Sequence, residues 1–185
     1  MSLIKITIDP KDIGRLANLM AAAGDKAPEA VNRALLHSGK KAMTQMRRAL
    51  VKQTGLKYGV MVRALKIAPG NPLTIYSRGG NVRLRFFSPR ETQAGVTHKS
   101  PKRGSPVPGA FMTGGRAPKR VHLKMGSRNV FMRRGTRRLP IDVQRSNVWI
   151  PKEMITGESE KVFYDTVLAN LPDRLAHELL RVLGG

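Results

Sequence analysis

The sequence contains no cysteine. That excludes a disulfide scaffold, a thiolate nucleophile and the common structural zinc sites. Aromatic residues make up only 5% of its 185 residues, with a single tryptophan, Trp149. Hydrophobic residues still reach 41%, so a core is affordable; it is expected to be aliphatic and methionine-rich, with Trp149 as its one indole. Carboxylates are scarce: 12 Asp and Glu stand against 34 Lys and Arg, a net charge of +22. A chain so charged repels itself and favours polyanions or acidic protein surfaces. No apolar run approaches the ~20 residues a membrane helix needs, and MSLIKITIDP lacks the long apolar stretch of a secretory leader. Catalytic signatures are missing too: there is no GxxxxGK(S/T), HExxH or GxSxG. His37, His98, His122 and His177 lie scattered without metal-ligand spacing. The expectation is a protein that is not an enzyme and carries no cofactor or metal.

What is present reads as α+β. Leu3 to Asp9 alternates apolar and polar residues, as a strand with one buried face does. Asp9 and Pro10 then suit the start of a helix, with Ile13, Leu16, Ala17 and Met20 at helical spacing and Gly24 as its end. A longer helix is predicted from about Pro28 to Thr54, stopped at Gly55. Its stripe is Val31, Ala34, Leu35, Ser38, Ala42, Met46, Ala49 and Leu50, and its length suits a helix lying across a sheet. Gly39 is a weak point in it unless something packs close there. Leu56 to Ile67 reads as a short helix running into a strand. Three extended segments follow: Pro72 to Ser77, Asn81 to Phe87 and Arg120 to Met125. SRGGN, with Gly79 and Gly80, reads as a hairpin turn between the first two. In the second, Arg83 and Arg85 alternate with Val82, Leu84 and Phe86, giving one basic and one apolar face. From Ser88 to Pro118 periodicity dissolves into Pro, Gly, Ser and Lys, which predicts an extended basic arm or loop within a single 1–185 domain. A C-terminal helix is predicted from Glu158 to Val182, with Val162, Phe163, Val167, Leu168, Leu171, Leu175, Leu179 and Leu180 as its apolar set and a kink or restart at Pro172. The architecture expected is an antiparallel sheet, open or curled towards a barrel, packed by the long helix and the C-terminal helix.

The most charged spot is RRGTRR, Arg133 to Arg138. Read as a two-residue turn at Gly135 and Thr136, it sets Arg134 opposite Arg137 and Arg133 opposite Arg138, and pairs Phe131 with Pro140. Like charges so placed destabilise a hairpin, and Pro140 marks the strand as an edge. Asp142 is the carboxylate near enough to form a structural salt link. Two readings stand: a solvated basic tip screened by salt, or a site that grips phosphates or a neighbour's carboxylates with guanidinium forks. Sixteen Lys or Arg and one acid, Glu91, lie between Arg78 and Arg138. A surface made only for solubility would mix the signs. The candidate anion contacts are Arg133, Arg134, Arg137 and Arg138, with Arg83, Arg85, Lys99, Lys102, Arg103, Arg116, Lys119 and Arg120. Few aromatics accompany them, so any nucleic acid would be held by its phosphates without sequence preference.

Two stretches, VNRALLHSGKKAMTQMRRALVKQTGLKYGVMVRALKI (Val31 to Ile67) and NVFMRRGTRRLPIDVQRSNVWIPKEM (Asn129 to Met154), carry a resemblance. In their order, with the amphipathic C-terminal helix behind them, they resemble the prophage minor tail protein Z family, related to tail-completion and neck proteins of long-tailed bacteriophages. The resemblance implies a structural virion protein active in tail completion or head–tail joining. It implies a homo-oligomeric ring, usually sixfold, in the virion tail or neck, and in the host cytoplasm during assembly. Neighbouring tail and connector proteins would be its partners, with double-stranded DNA in the lumen and no membrane. The alternative is a sequence-nonspecific nucleic-acid-binding protein of ribosomal or nucleoid type.

Overall fold

The computed structural model describes residues 2–6, 14–70, 72–115, 119–123 and 128–184. The chain divides into two compact units. Unit 1 comprises Met1–Gln53, Tyr58–Arg78 and Pro151–Gly185; unit 2 comprises Thr54–Lys57 and Gly79–Ile150. In chain order the strands are β1 (Ser2–Ile6), β2 (Leu65–Ala68), β3 (Leu73–Ser77), β4 (Arg90–Thr92), β5 (Gly95–Thr97), β6 (Ala110–Phe111), β7 (Thr113–Gly114), β8 (Val121–His122), β9 (Phe131–Arg133) and β10 (Ile141–Val143). The helices are α1 (Gly14–Ala23), α2 (Ala27–Thr54), α3 (Tyr58–Ala64), α4 (Ile150–Met154) and α5 (Glu158–Leu183). No helix among the described residues is long and apolar enough to cross a membrane.

In unit 1 a three-stranded antiparallel sheet has the order β1-β3-β2. The α2 stripe expected from spacing is the stripe that is buried, from Val31 through Ser38 to Leu50. Something does pack close to Gly39: a Cβ there would lie 2.1 Å from Cδ2 of Leu73 on β3, so a side chain at this position would require the Leu73 side chain to move. Gly55, with φ +71°, ends α2 in the left-handed conformation. Near that end, the Gln53 amide donates to Oε2 of Glu153 at 2.7 Å and to the Thr156 carbonyl at 3.3 Å, which ties the α4–α5 junction to α2. Asp9, Pro10 and Ile13 lie outside the described residues.

Helix α5 runs unbroken through Pro172, with no restart. The carbonyl that Pro172 leaves without a partner belongs to Leu168, an exposed residue, so water can satisfy it. Phe163, Val167, Leu175 and Leu179 are buried as expected, but Leu168 and Leu180 of the same apolar set face solvent.

Unit 2 is not a closed barrel. One three-stranded sheet has the order β10-β9-β6, and β4-β5 and β7-β8 form two-stranded pairs. Its core gathers Leu84, Val96, Val107, Ala110 and Val130, with Met112 and Met132 packed against them.

Four expectations are corrected in this unit. Asn81 to Phe87 is not an alternating strand: Leu84–Phe87 is a 3-10 turn. Its buried residues, Leu84 and Phe87, are three apart, which matches the 3-10 repeat and not a strand's. SRGGN does not close a hairpin, because β3 is already paired on both sides, by β1 and β2. The segment from Ser88 onward is no free arm, for through residue 115 it supplies β4 to β7 and buries Val96, His98, Ser100, Val107 and Ala110. Strands of two or three residues are too short to leave a periodic signal. Trp149 is exposed and is not the core indole. Of the strand expected at Arg120 to Met125, Val121–His122 forms as β8, and residues 124–127 lie outside the described residues.

Candidate anion-binding surface

The arginine hairpin opens wider than a two-residue turn. Observed partners are Phe131 with Val143, Met132 with Asp142 and Arg133 with Ile141. The ladder ends where Arg134 N–H donates to the Pro140 carbonyl at 3.2 Å; Pro140 has no N–H to return. This register differs by three residues from the tight turn, for a physical reason. The tight turn stacks four guanidiniums in two facing pairs, whereas the wider loop parts them and brings Arg134 beside Asp142. Their contact is two-pronged: Arg134 Nε to Oδ2 at 2.7 Å and Nη2 to Oδ1 at 3.0 Å. The Arg134 hydrogen bonds hold the Asp142 carboxyl below its ordinary range, and Asp142 raises Arg134 in turn. Strand β10 is an edge, as Pro140 implied.

Arg133 is rooted differently. Its guanidinium donates to the Arg138 carbonyl at 2.7 Å and lies 5.4 Å from the Phe111 ring centroid. That leaves Arg137 and Arg138, both exposed, without a salt bridge to any carboxylate among the described residues. Leu139 beside them is 66% exposed.

The other eight candidates differ in their local contacts. Arg120 belongs to a structural knot. Glu91 accepts from Met112 N at 3.0 Å, from Thr113 N at 3.2 Å, from Thr113 Oγ1 at 3.1 Å and from Arg120. Burial alone would raise the Glu91 carboxyl, but these donors, Arg120 foremost, together bring it below its usual value. Arg103 donates to Gln144 Oε1 at 2.8 Å and to the Arg145 carbonyl. Arg85 covers the Phe86 ring at 4.7 Å. Arg83, Lys99, Lys102 and Lys119 are exposed. Arg116 lies outside the described residues. Sequence reading passed over Arg90, Arg128 and Arg145, which are also exposed on unit 2. It also missed Glu91 as a hub, which no local pattern signals because its partners come from residues 112–120.

Charge separates with the units. Unit 2 holds 17 of the 34 Lys and Arg but 2 of the 12 carboxylates, a net +15, against +7 for unit 1. Both unit 2 carboxylates, Glu91 and Asp142, are already engaged by arginines of the same unit. Among the described residues, no group of three or more His, Cys, Asp or Glu is placed to hold a metal ion.

One histidine of this unit is built to stay neutral. His98 is buried; Nδ1 accepts from Ser100 N–H at 3.2 Å, so Nε2 must carry the hydrogen that meets the Gly104 carbonyl at 3.0 Å. Burial lowers its pKa, the Gly104 bond opposes that and Arg103 adds to it. The folded pKa is therefore depressed. The stabilisation is complete above the unfolded value of about 6.5 and is lost as pH falls through and below it. A thermal-midpoint titration from pH 8 to 5 is expected to decline from about 6.5 downward, and His98→Gln to remove that component.

No family model, no curated protein and no solved structure matches this chain.

Proposed function

We propose that the chain is a structural virion protein of a phage or prophage tail. It acts in tail completion or head–tail joining and assembles as a homo-oligomeric ring around the DNA path. One observation carries the reading: unit 2 engages both of its carboxylates internally and still presents an excess of guanidinium and ammonium groups. Such a surface is stable against self-repulsion when something anionic from outside lies on it. The order of the short motifs from Val31 to Met154 supports the same reading, by resemblance.

A second reading is a free-standing protein that binds duplex nucleic acid without sequence preference. It is favoured by the state of the aromatics: Phe87 and Phe131 are buried, and arginines cover Phe86 and Phe111, so little is left to stack on bases.

Mass in solution separates the two. A closed oligomer of defined size, measured by light scattering across protein concentration, is expected. A monomer whose duplex affinity falls with a log–log salt slope of about −4 or steeper would support the second reading instead.

A further inference from the structure

We propose that the arginine loop of one copy docks head to tail on the exposed face of α5 of a second copy. Arg137 and Arg138 meet Asp165 and Glu160, and Leu139 meets Leu168 and Tyr164. This rests on the oligomeric reading above and names its contact surface.

The loop is a knob with two chemistries. Arg133 and Arg134 are held within their own unit, by the Arg138 carbonyl and by Asp142. What projects is Arg137, Arg138 and an exposed leucine. A phosphate backbone offers nothing to Leu139, and a wholly polar acidic surface leaves it in water. Its complement is a protein face that carries carboxylates beside apolar side chains.

Helix α5 has that composition. It carries 5 of the chain's 12 carboxylates: Glu158, Glu160, Asp165, Asp173 and Glu178. Glu178 is buried and engaged by Arg33 and Arg174. Glu158 lines a groove of ≈ 970 Å³ together with Arg48 and Lys52, so its field is partly cancelled. Asp165 is exposed and Glu160 half-buried, and neither has a salt-bridge partner among the described residues. Tyr164 and Leu168 are 44% and 73% exposed, one turn apart. On an α-helix Glu160, Tyr164 and Leu168 form one i, i+4 row, and Asp165 lies beside it. Along α5 itself the row carries one cation, Lys161, against the two carboxylates Glu160 and Asp165. The face therefore offers carboxylates alongside the largest apolar exposure on the helix.

The two surfaces are different patches of one chain. Their contact is heterologous, and repeated it closes a ring or runs on as a filament. Each copy would offer its loop to one neighbour and its α5 face to another.

A charge exchange tests this, with mass read by native mass spectrometry on the full chain at near-physiological salt. R137E/R138E and, separately, E160K/D165K are each expected to weaken self-association by about 100-fold, since each sets like charges face to face. The two pairs combined should recover association to within about 10-fold of the unaltered protein, because the attraction is restored with its sign reversed. Leu168→Ser should weaken it without any charge change. All these positions are exposed or half-buried, and unchanged circular dichroism checks that each variant folds. If the combination fails to restore association, or an oligomer keeps its mass with either pair altered, the proposed contact is overturned while the oligomeric reading stands. A chain that is monomeric at every concentration overturns both. If R137E/R138E leaves mass intact but abolishes binding of a 20-base-pair duplex, the loop serves nucleic acid and the proposal is wrong.

Discussion

Gly95→Ala is expected to lower the thermal midpoint by about 10 °C. Gly95 opens β5 with φ +122°, a conformation that costs a residue bearing a Cβ about 1–3 kcal/mol. Space is also lacking. The added Cβ would sit 2.1 Å from the Val107 carbonyl oxygen and 2.8 Å from its carbonyl carbon. Those are backbone atoms, fixed by the bridge in which Val96 N–H donates to Val107 O at 3.2 Å and Val107 N–H to Val96 O at 2.9 Å. No rotamer change relieves the clash, so the bridge must open and loosen the packing of Val96 and Val107 in the unit 2 core. A combined cost of about 3–4 kcal/mol converts to roughly 6–16 °C for a chain of this size. Gly104→Ala is the control: its φ is not positive and no atom lies within 4 Å. It should leave the midpoint unchanged or raise it slightly, through a stiffer unfolded chain. Equal midpoints for the two variants would contradict the account.

Glu178→Ala is expected to cost about 2–4 kcal/mol, read as a shift in denaturation midpoint. Glu178 is 1% exposed and stands between two arginines. Arg174 bonds its Oε1, and Arg33 Nε lies 3.3 Å from Oε2. The Arg33 contact lacks hydrogen-bond alignment, so its attraction is Coulombic. Alanine leaves a void and two facing guanidiniums. Breaking a buried pair costs about 3–5 kcal/mol, reduced here because both arginines remain about a third exposed to water. Glu29 offers the contrast within one network. It pairs with the same Arg33 at 3.0 Å but is 70% exposed, and Glu29→Ala should cost no more than about 0.5 kcal/mol. A similar loss at both positions would mean that burial is not what sets the energy of this cluster.

How much of this was legible in the sequence depended on element length. Twenty-eight residues of α2 give a buried stripe many repeats in which to declare itself, and its boundaries and its face follow from spacing, whereas what lies against Gly39 needed coordinates. Strand β3 falls within the extended segment read at Pro72 to Ser77, and its burial alternates along its five residues. Unit 2 was largely opaque, because its strands run to two or three residues and its order comes from contacts between distant segments, such as Glu91 with Met112, Thr113 and Arg120. The arginine hairpin was legible as a hairpin and as an edge. Its register was not: a tight-turn signal at Gly135 yielded to the Arg134–Asp142 pair and the mutual repulsion of four arginines. The charge asymmetry was plain from composition. Which arginines are tied down within their own unit was not, since that needs coordinates.

The way unit 1 is assembled from separated stretches bears on the order in which the protein can fold as it leaves the ribosome. Nearly all of unit 2, from Gly79 to Ile150, is one uninterrupted stretch and can condense while synthesis is still under way. Unit 1 has to wait, because α1 packs against α5 and Arg33 meets Glu178 only once the final helix emerges. Helix α1 and Arg33 of α2 therefore stay without their α5 partners through most of translation, an interval in which nascent chains are prone to stick to one another and in which a holdase chaperone would act.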